Sequence, residues 1–245
     1  YYTSQSWEAF GQLALVRMAS HGDYNLEQYL AELEDAFHDF QEGWGNPDLR
    51  VKILSLRDDL LQIPWQVSDS SCGTTLQPSN ICTEENRTQR LREELLRPER
   101  IDGNGYLVVP FSTSLSQVSP VTANHKLHHI EVELQGTGLG DAVARVYLRR
   151  SGTSSVRGLG DENLFYALPD RTAVVDAWVN AKSAASLVYS SGRFRDRPYA
   201  NSSWELIVNL VDEADNLDMN FFGGLRDLRI HVYYTDFPIP GGGDA

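Results

Sequence analysis

Three histidines within five positions are the side chains best suited to metal chemistry. On a helix His125, His128 and His129 would share one face, where imidazole nitrogens could hold an ion. The alternation that begins at Ile130 favours a strand instead, and successive strand residues point to opposite faces. On that geometry His128 and His129 diverge, and His125 stands about 13 Å from His129 at about 3.3 Å per residue. We therefore expect no metal site and no cofactor.

A second group with possible chemistry is an acidic segment between two predicted strands. It consists of Asp212, Glu213, Asp215 and Asp218. Carboxylate oxygens suit Ca²⁺, but the spacing is not that of an EF-hand. We therefore expect a solvated loop, with calcium binding as the alternative.

Glycines at 136, 138 and 140 are followed by a predicted strand. A phosphate-binding loop needs a helix there, so these glycines predict a hairpin turn.

Motifs for nucleophilic or metal-dependent catalysis are missing from the sequence. It contains no G-x-S-x-G elbow, H-E-x-x-H pair, Walker loop or C-x-x-C pair. We therefore predict no catalytic residues and no enzyme. A hydrolase stays an alternative if two carboxylates meet in a deep pocket.

Two cysteines bound a loop rich in turn-forming residues. Cys72 and Cys82 enclose Gly73, Pro78 and several serines and threonines. Their spacing does not suit zinc, and no histidine lies nearby in the sequence. A disulfide would rigidify the loop and would require an oxidising compartment. We predict the disulfide, with two unpaired thiols as the alternative.

The charge and the apolar content of the sequence limit the partners that the protein could bind. The chain has 245 residues, and its 34 acidic and 21 basic residues give a net charge of −13. This balance argues against nucleic acid, because phosphates require a basic face. No stretch of apolar residues is long enough to predict a membrane span. The sequence opens with Tyr1 rather than Met, so we expect a processed chain or a piece of a longer polypeptide.

Helical periodicity dominates the first hundred residues. Apolar residues recur at three- and four-residue steps over Trp7–Ser20 and again over Leu26–Phe40. A third helix is predicted between Asn46 and Pro64, and a fourth begins after Thr83. The apolar stripe of the third predicted helix consists of Leu49, Ile53, Leu56 and Leu60.

The period changes from 3.6 to 2 near Tyr106, which indicates half-buried antiparallel strands. Strands are predicted around 106–111, 130–134, 142–149, 172–179, 185–189, 204–210 and 228–234. The predicted fold is therefore α+β, with an N-terminal helical segment followed by an antiparallel β-sandwich. The predicted domains are a helical segment with the cysteine-bounded loop (1–100), the sandwich (101–237) and a flexible tail (238–245).

Several stretches, read in order, carry a family resemblance. Leu30–Phe37 matches the pattern L-x-x-L-E-x-A-Y/F, and Lys52–Arg57 matches K-x-x-S-L-R. Phe194–Tyr199 corresponds to F-x-D-x-R-Y, and Trp204–Leu206 is W-x-L. Asp227–Thr235 matches the last pattern of the family, D-h-x-h-H-h-x-Y-T, in which h is a hydrophobic residue. In this order the stretches resemble the C-terminal region of the A subunit of bacterial Tc toxin complexes.

The sequence departs from the family pattern at several places, and the loop between Cys72 and Cys82 resembles an insertion. His128 and His129 stand where the family has an arginine pair, and Ala200–Ser203 replaces a P-F-E-G stretch. The resemblance nevertheless implies a secreted, non-catalytic protein-docking module. In the family this region follows the pore-forming helices of a homopentameric A subunit and binds the cocoon-forming B subunit.

One sandwich cannot obviously cover four separate helical stripes, so part of the helical segment is predicted to pack against other chains. The expected interface residues are Phe10, Leu13, Tyr29 and Phe37. A carbohydrate- or receptor-binding sandwich is the alternative, favoured if Tyr147, Trp178 and Tyr233 line one groove.

Overall fold

Two large β-sheets, a two-stranded ribbon, three α-helices and short helical turns make up the part of the chain that the computed structural model describes, residues 26–139, 146–160, 162–180, 192–209 and 219–239. The helices are α1 (Leu26–Trp44), α2 (Glu84–Leu95) and α3 (Met219–Gly224). The predicted α+β fold is confirmed, because α1 precedes sheets that are antiparallel except for one strand pair.

The first sheet has four strands. They are β1 (Asp48–Ser55), β5 (Thr122–Gly136), β9 (Asp176–Val179) and β11 (Leu225–Pro238). Their order is β1-β11-β5-β9, so β11 lies between β1 and β5 and pairs antiparallel with both. Strand β9 pairs parallel with β5 and forms the opposite edge.

The second sheet has five antiparallel strands. They are β4 (Tyr106–Thr113), β6 (Val146–Arg157), β7 (Asn163–Ala167), β8 (Arg171–Val174) and β10 (Ala200–Asn209). Strand β10 lies between β4 and β6, while β7 and β8 both pair with β6. A small ribbon, β2 (Cys72–Gly73) with β3 (Pro78–Ser79), stands apart from both sheets.

The core lies between the two sheets, because apolar and polar residues alternate along the strands and the apolar ones face inward. Val132 and Ile230 of the first sheet and Leu148, Trp204 and Leu206 of the second are buried in one apolar cluster. Their strand neighbours point outward, since successive strand residues face opposite sides. The two sheets therefore form the predicted sandwich.

Helix α2 closes one end of this core. Thr83 caps it: the Thr83 hydroxyl accepts a hydrogen bond from the Asn86 N–H at 3.2 Å, and the Asn86 amide oxygen accepts from the Thr83 N–H at 3.1 Å. Leu91 and Leu95 are buried in the apolar cluster. The Arg92 Nε donates to the carbonyl of Leu225 at 3.1 Å, which ties the helix to the start of β11.

The helix predicted between Asn46 and Pro64 is wrong, because Asp48–Ser55 is strand β1 and Leu56–Leu60 is a single π-helical turn. The stripe of that helix also fits an alternating pattern, in which Leu49, Val51 and Ile53 share one strand face. Two of these three are β-branched, and such residues favour strands.

The predicted and observed strands differ at two further places. The strand predicted over 172–179 divides at Val175 into β8 and β9, which belong to different sheets. Strand β7 was not predicted. The helix predicted over Trp7–Ser20 and the strand over 185–189 lie outside the described residues.

Candidate functional site

The motifs behind the family resemblance meet in the folded chain. The Ser55 hydroxyl donates to Asp227 Oδ2 at 2.8 Å, and the Arg57 N–H donates to Asp227 Oδ1 at 3.1 Å. The Arg57 guanidinium also donates to Glu84 Oε2 at 2.6 Å. These contacts join the turn after β1 to both β11 and α2. The motifs Lys52–Arg57 and Asp227–Thr235 therefore have a structural role.

An ion-pair network continues from this turn. Asp58 Oδ1 accepts from Arg57 Nε at 2.9 Å and from Arg87 Nη2 at 2.6 Å. Burial alone would raise the pKa of Asp58, but the hydrogen bonds and charges of the two arginines outweigh burial and lower that pKa. The Arg87 guanidinium also lies 3.6 Å from the centre of the Trp65 ring, a cation–π contact.

The motif Phe194–Tyr199 has a comparable role on the other side of the core. The Phe194 ring lies 5.3 Å from the Trp204 ring, and the Tyr199 ring lies 5.0 Å from the Tyr234 ring. The Leu127 N–H donates to the carbonyl of Arg197 at 2.8 Å. This turn therefore bridges both sheets and positions the histidine segment of β5.

The three histidines lie on β5 but not as the alternation predicts. Tyr233 pairs with His129 and Tyr234 with Leu127, so His128 is the extra residue of a β-bulge. The Nδ1 atoms of His128 and His129 are consequently 2.7 Å apart. The expectation that these two side chains point to opposite faces is wrong, because the bulge breaks the period of two.

His125 faces the interior, away from that pair. It is fully buried, and its Nε2 lies 2.8 Å from the Thr122 hydroxyl. Burial, assisted by the charges of Arg157 and Arg50, lowers the pKa of His125 to about 4. Within the described residues no group of three His, Cys, Asp or Glu side chains is arranged to hold a metal ion.

The outer face of the four-stranded sheet carries a ladder of aromatic, imidazole and carboxylate groups. His129 stacks on Tyr233 with 4.0 Å between ring centres. Burial, followed by the charge and hydrogen bond of Glu131, raises the pKa of Tyr233. His231 Nε2 lies 3.2 Å from Glu133 Oε2. Glu131 and Glu133 are buried and the rings beside them are half-buried, so the ladder is a largely covered layer of mixed polarity.

An exposed apolar strip borders this ladder on the edge strand. Leu49, Val51 and Ile53 of β1 are 57%, 50% and 45% exposed, and they share one strand face. Val51 lies opposite Tyr233 and Ile53 opposite His231, so the strip and the ladder form one continuous surface. We call this surface the β1–β11 face. Exposed apolar groups of this kind on an edge strand favour pairing with another chain.

Helix α1 leads directly into the β1–β11 face. Its Phe40 ring contacts the Phe237 ring edge-on at 5.4 Å, which docks the end of the helix on β11. Leu30, nearer the start of the helix, is 51% exposed, and Phe37 is half-buried. Of the other predicted interface residues, Phe10 and Leu13 lie outside the described residues. Tyr29 belongs to α1, but its side chain is not among those that the structure describes.

The predicted disulfide between Cys72 and Cys82 is present. It closes the loop that carries the β2–β3 ribbon, and Cys82 directly precedes Thr83, the cap of α2. The bond therefore fixes the ribbon to the start of the helix.

The three aromatic residues that would favour a carbohydrate- or receptor-binding groove do not come together. Tyr147 contacts Tyr106 on the five-stranded sheet, whereas Trp178 and Tyr233 lie on the four-stranded one, so the three aromatics line no common groove. A groove of about 400 Å³ beside α2 contains Glu93 and Glu94. Arg97 and Arg100 form ion pairs with Glu94. The acidic segment 212–218 lies outside the described residues.

Sequence reasoning missed the apolar strip, although it named Leu49 and Ile53. It assigned them to a helix, where they would have faced the core. The alternation of Leu49, Val51 and Ile53 was the signal that could have identified the strip. The His128–His129 contact had no such signal, because the bulge depends on the register against β11.

Comparison with known proteins gives limited similarity. No protein-family model matches the chain, and no curated protein matches it. A cryo-EM structure of Morganella morganii TcdA4 is similar at 14% identity and a TM-score of 0.45, over 85% of this chain and 8% of that one. A cryo-EM structure of Yersinia pseudotuberculosis TcaA-TcaB is similar at 12% identity and a TM-score of 0.39, over 86% and 11% respectively.

The chain therefore spans about a tenth of the length of these structures. At such values the likeness says nothing about individual residues or partners. Among the described residues, no helix combines the length and the apolar character that crossing a bilayer requires.

Proposed function

We propose that this chain is a non-catalytic protein-docking module of a secreted toxin-like assembly. The partner we infer is a cocoon-type B subunit, and the chain acts within a homo-oligomer, as the family resemblance implies. The observation that carries the proposal is the β1–β11 face, where an exposed apolar strip lies on an edge strand. Such a strip is costly to leave in water and favours burial against another chain.

Helix α1 supports the proposal. Leu30 remains half exposed on the apolar stripe, and Phe40 docks only the far end of the helix. The stripe and the β1 strip are separated in the chain only by Gly45–Pro47, and we infer that both contact a neighbouring copy or a partner. A specific interface there should bury at least about 1,000 Å² in total.

The disulfide and the motif contacts are consistent with this role. A disulfide persists in oxidising compartments, which fits a secreted protein. The residues behind the family resemblance hold the framework, through pairs such as Ser55–Asp227 and Phe194–Trp204. We infer that they present the docking surface rather than react with a substrate.

The experiment is sedimentation velocity of the full natural polypeptide, alone and with a co-expressed cocoon-type subunit. Two variants test the surface: Val51→Asp in the strip and Phe37→Asp on α1. Phe165→Asp is the matched control, because Phe165 is also exposed and apolar but lies on β7 of the other sheet. Circular dichroism establishes that each variant is folded.

We expect both test variants to dissociate the complex or the oligomer, while Phe165→Asp leaves it intact. Wild-type chain that stays monomeric and ignores the partner, yet turns over a glycan or ester, would overturn the proposal in favour of an enzyme. Equal loss in the control variant would show that the effect is not specific to the β1–β11 face.

A further inference from the structure

Three arginines belong to β6, to β8 and to the turn before β10. Arg150 of β6 lies directly opposite Arg171 of β8 in the strand register, and Arg197 belongs to the turn that bridges the sheets. We call them the arginine cluster. Like charges directly opposite each other destabilise a strand pair, so the arrangement requires compensation.

Arg150 occupies an unusual position for a charged residue. It lies on the inner side of β6 with Val146 and Leu148, and it is 1% exposed. Its Nη2 donates to the Ser154 hydroxyl. Its Nε is buried and has no hydrogen-bond partner among the described residues. An unsatisfied donor of this kind costs free energy unless a ligand fills the position.

The arginines affect one another electrostatically. Burial lowers the pKa of Arg150 to about 10, with a further contribution from the charge of Arg197 and a smaller one from Arg171. Burial and Arg171 also lower the pKa of Arg197. The Arg171 Nη1 donates to the carbonyl of Arg193 at 2.9 Å. This hydrogen bond joins the start of β8 to the turn that carries Arg197.

The charge of the cluster is not neutralised within the described part of the chain. There, Arg150 and Arg171 donate to a hydroxyl and to a backbone carbonyl, and none of the three arginines forms an ion pair with a carboxylate. Asp170 is the acidic group that raises the pKa of Arg150, and the three arginines outnumber it. The excess is local, because the whole chain carries −13.

We propose that the arginine cluster binds a divalent oxyanion, the phosphate or sulfate group of a free ion or of a larger ligand. Guanidinium forks match such oxygens with paired hydrogen bonds. Arg171 is exposed and Arg197 half-buried, which lets the anion enter between them, and Arg150 closes the inner side. The proposal stands independently of the docking function.

The test is thermal unfolding of the full chain during titration with inorganic phosphate, sulfate or acetate at constant ionic strength. Arg171→Gln and Arg197→Gln, combined in one variant, remove two guanidinium groups from accessible positions. Arg149→Gln is the matched control, because Arg149 neighbours Arg150 but lies on the outer face, where it pairs with Glu205 at 2.9 Å. Isothermal titration calorimetry on the same proteins measures the affinity.

We expect phosphate or sulfate to raise the melting temperature saturably, by about 3–5 °C at tenfold above the dissociation constant. The tighter of the two anions identifies the natural group. The rise should disappear in the double variant and persist in Arg149→Gln. An equal rise with acetate, no saturable rise in the wild type, or an unchanged rise in the double variant would each overturn the proposal.

Discussion

Trp204 shows how one side chain joins the two layers of the core. It is 2% exposed, its Nε1 donates to the Thr113 hydroxyl at 3.1 Å, and its ring stacks with Phe111 at 6.0 Å. The prediction from the alternating run, that Trp204 lies inside the sandwich beside Leu206, is confirmed. The indole fills space and also satisfies its only donor, as buried tryptophans usually must.

Replacing Trp204 with Ala should lower the free energy of unfolding by about 3–5 kcal/mol, because a large buried side chain leaves a cavity. Urea unfolding followed by circular dichroism measures the change. Trp178→Ala is the control, since Trp178 is half-exposed on the outer face and should cost less. A loss below about 1 kcal/mol for Trp204→Ala would contradict its role in the core.

His125 makes stability depend on pH. The folded chain binds its proton only near pH 4, whereas the unfolded chain binds it near the ordinary value of 6.5. The stability that neutral His125 contributes is therefore complete above pH 6.5 and is lost as the pH falls toward 4. At about 1.4 kcal/mol per pKa unit the full contribution is about 3 kcal/mol.

NMR titration of the imidazole resonances measures this pKa directly, with the signal of His125 assigned by its absence in His125→Gln. We expect no titration of His125 above pH 5. A midpoint near 6.5 would mean that the ring is solvated, in conflict with its burial.

At the scale of elements, the disulfide holds the β2–β3 ribbon beside the start of α2. Changing Cys72 and Cys82 together to Ser should lower the free energy of unfolding by about 2–3 kcal/mol, because the ring they close is short. Non-reducing urea unfolding measures the loss, and wild type with reductant should follow the same curve. A wild-type midpoint that reductant does not move would show that the bond contributes nothing.

The elements that the sequence predicted best are those with strong local signals. Thr83 as a cap residue identified the start of α2, and the apolar alternation identified β10 and β11. Turn residues around the two cysteines indicated the loop and its disulfide. Each of these signals lies within a few residues of the structure that it specifies, so no knowledge of distant pairing was needed.

Strand β1 and the bulge at His128 could not be predicted in this way. The apolar residues of β1 fit a helix as well as a strand, and pairing with β11, almost two hundred residues later, decides between them. The bulge likewise follows from the register of β5 against β11. The β1–β11 face depends on both long-range pairings, which explains why the sequence named interface residues only on the helices.

At the scale of the whole molecule, the net charge of −13 should oppose association between copies. If copies pack through the β1–β11 face, moderate NaCl should screen this repulsion and increase the oligomer fraction. Sedimentation velocity at low and physiological salt measures the trend, with Val51→Asp as the monomeric control. Dissociation on adding salt would indicate that attractive ion pairs, rather than apolar contacts, hold the copies together.

The antiparallel pairing of β1 with β11 also determines how the sandwich would respond to mechanical force. Asp48 lies opposite Asp236, so tension applied at residues 48 and 238 pulls two adjacent strand ends apart. Under such a load the backbone hydrogen bonds break one after another, as in a zipper, rather than all at once in shear. The first connection to resist is the ion pair between Arg50 and the buried Asp236, with Arg50 Nε 2.9 Å from both carboxylate oxygens.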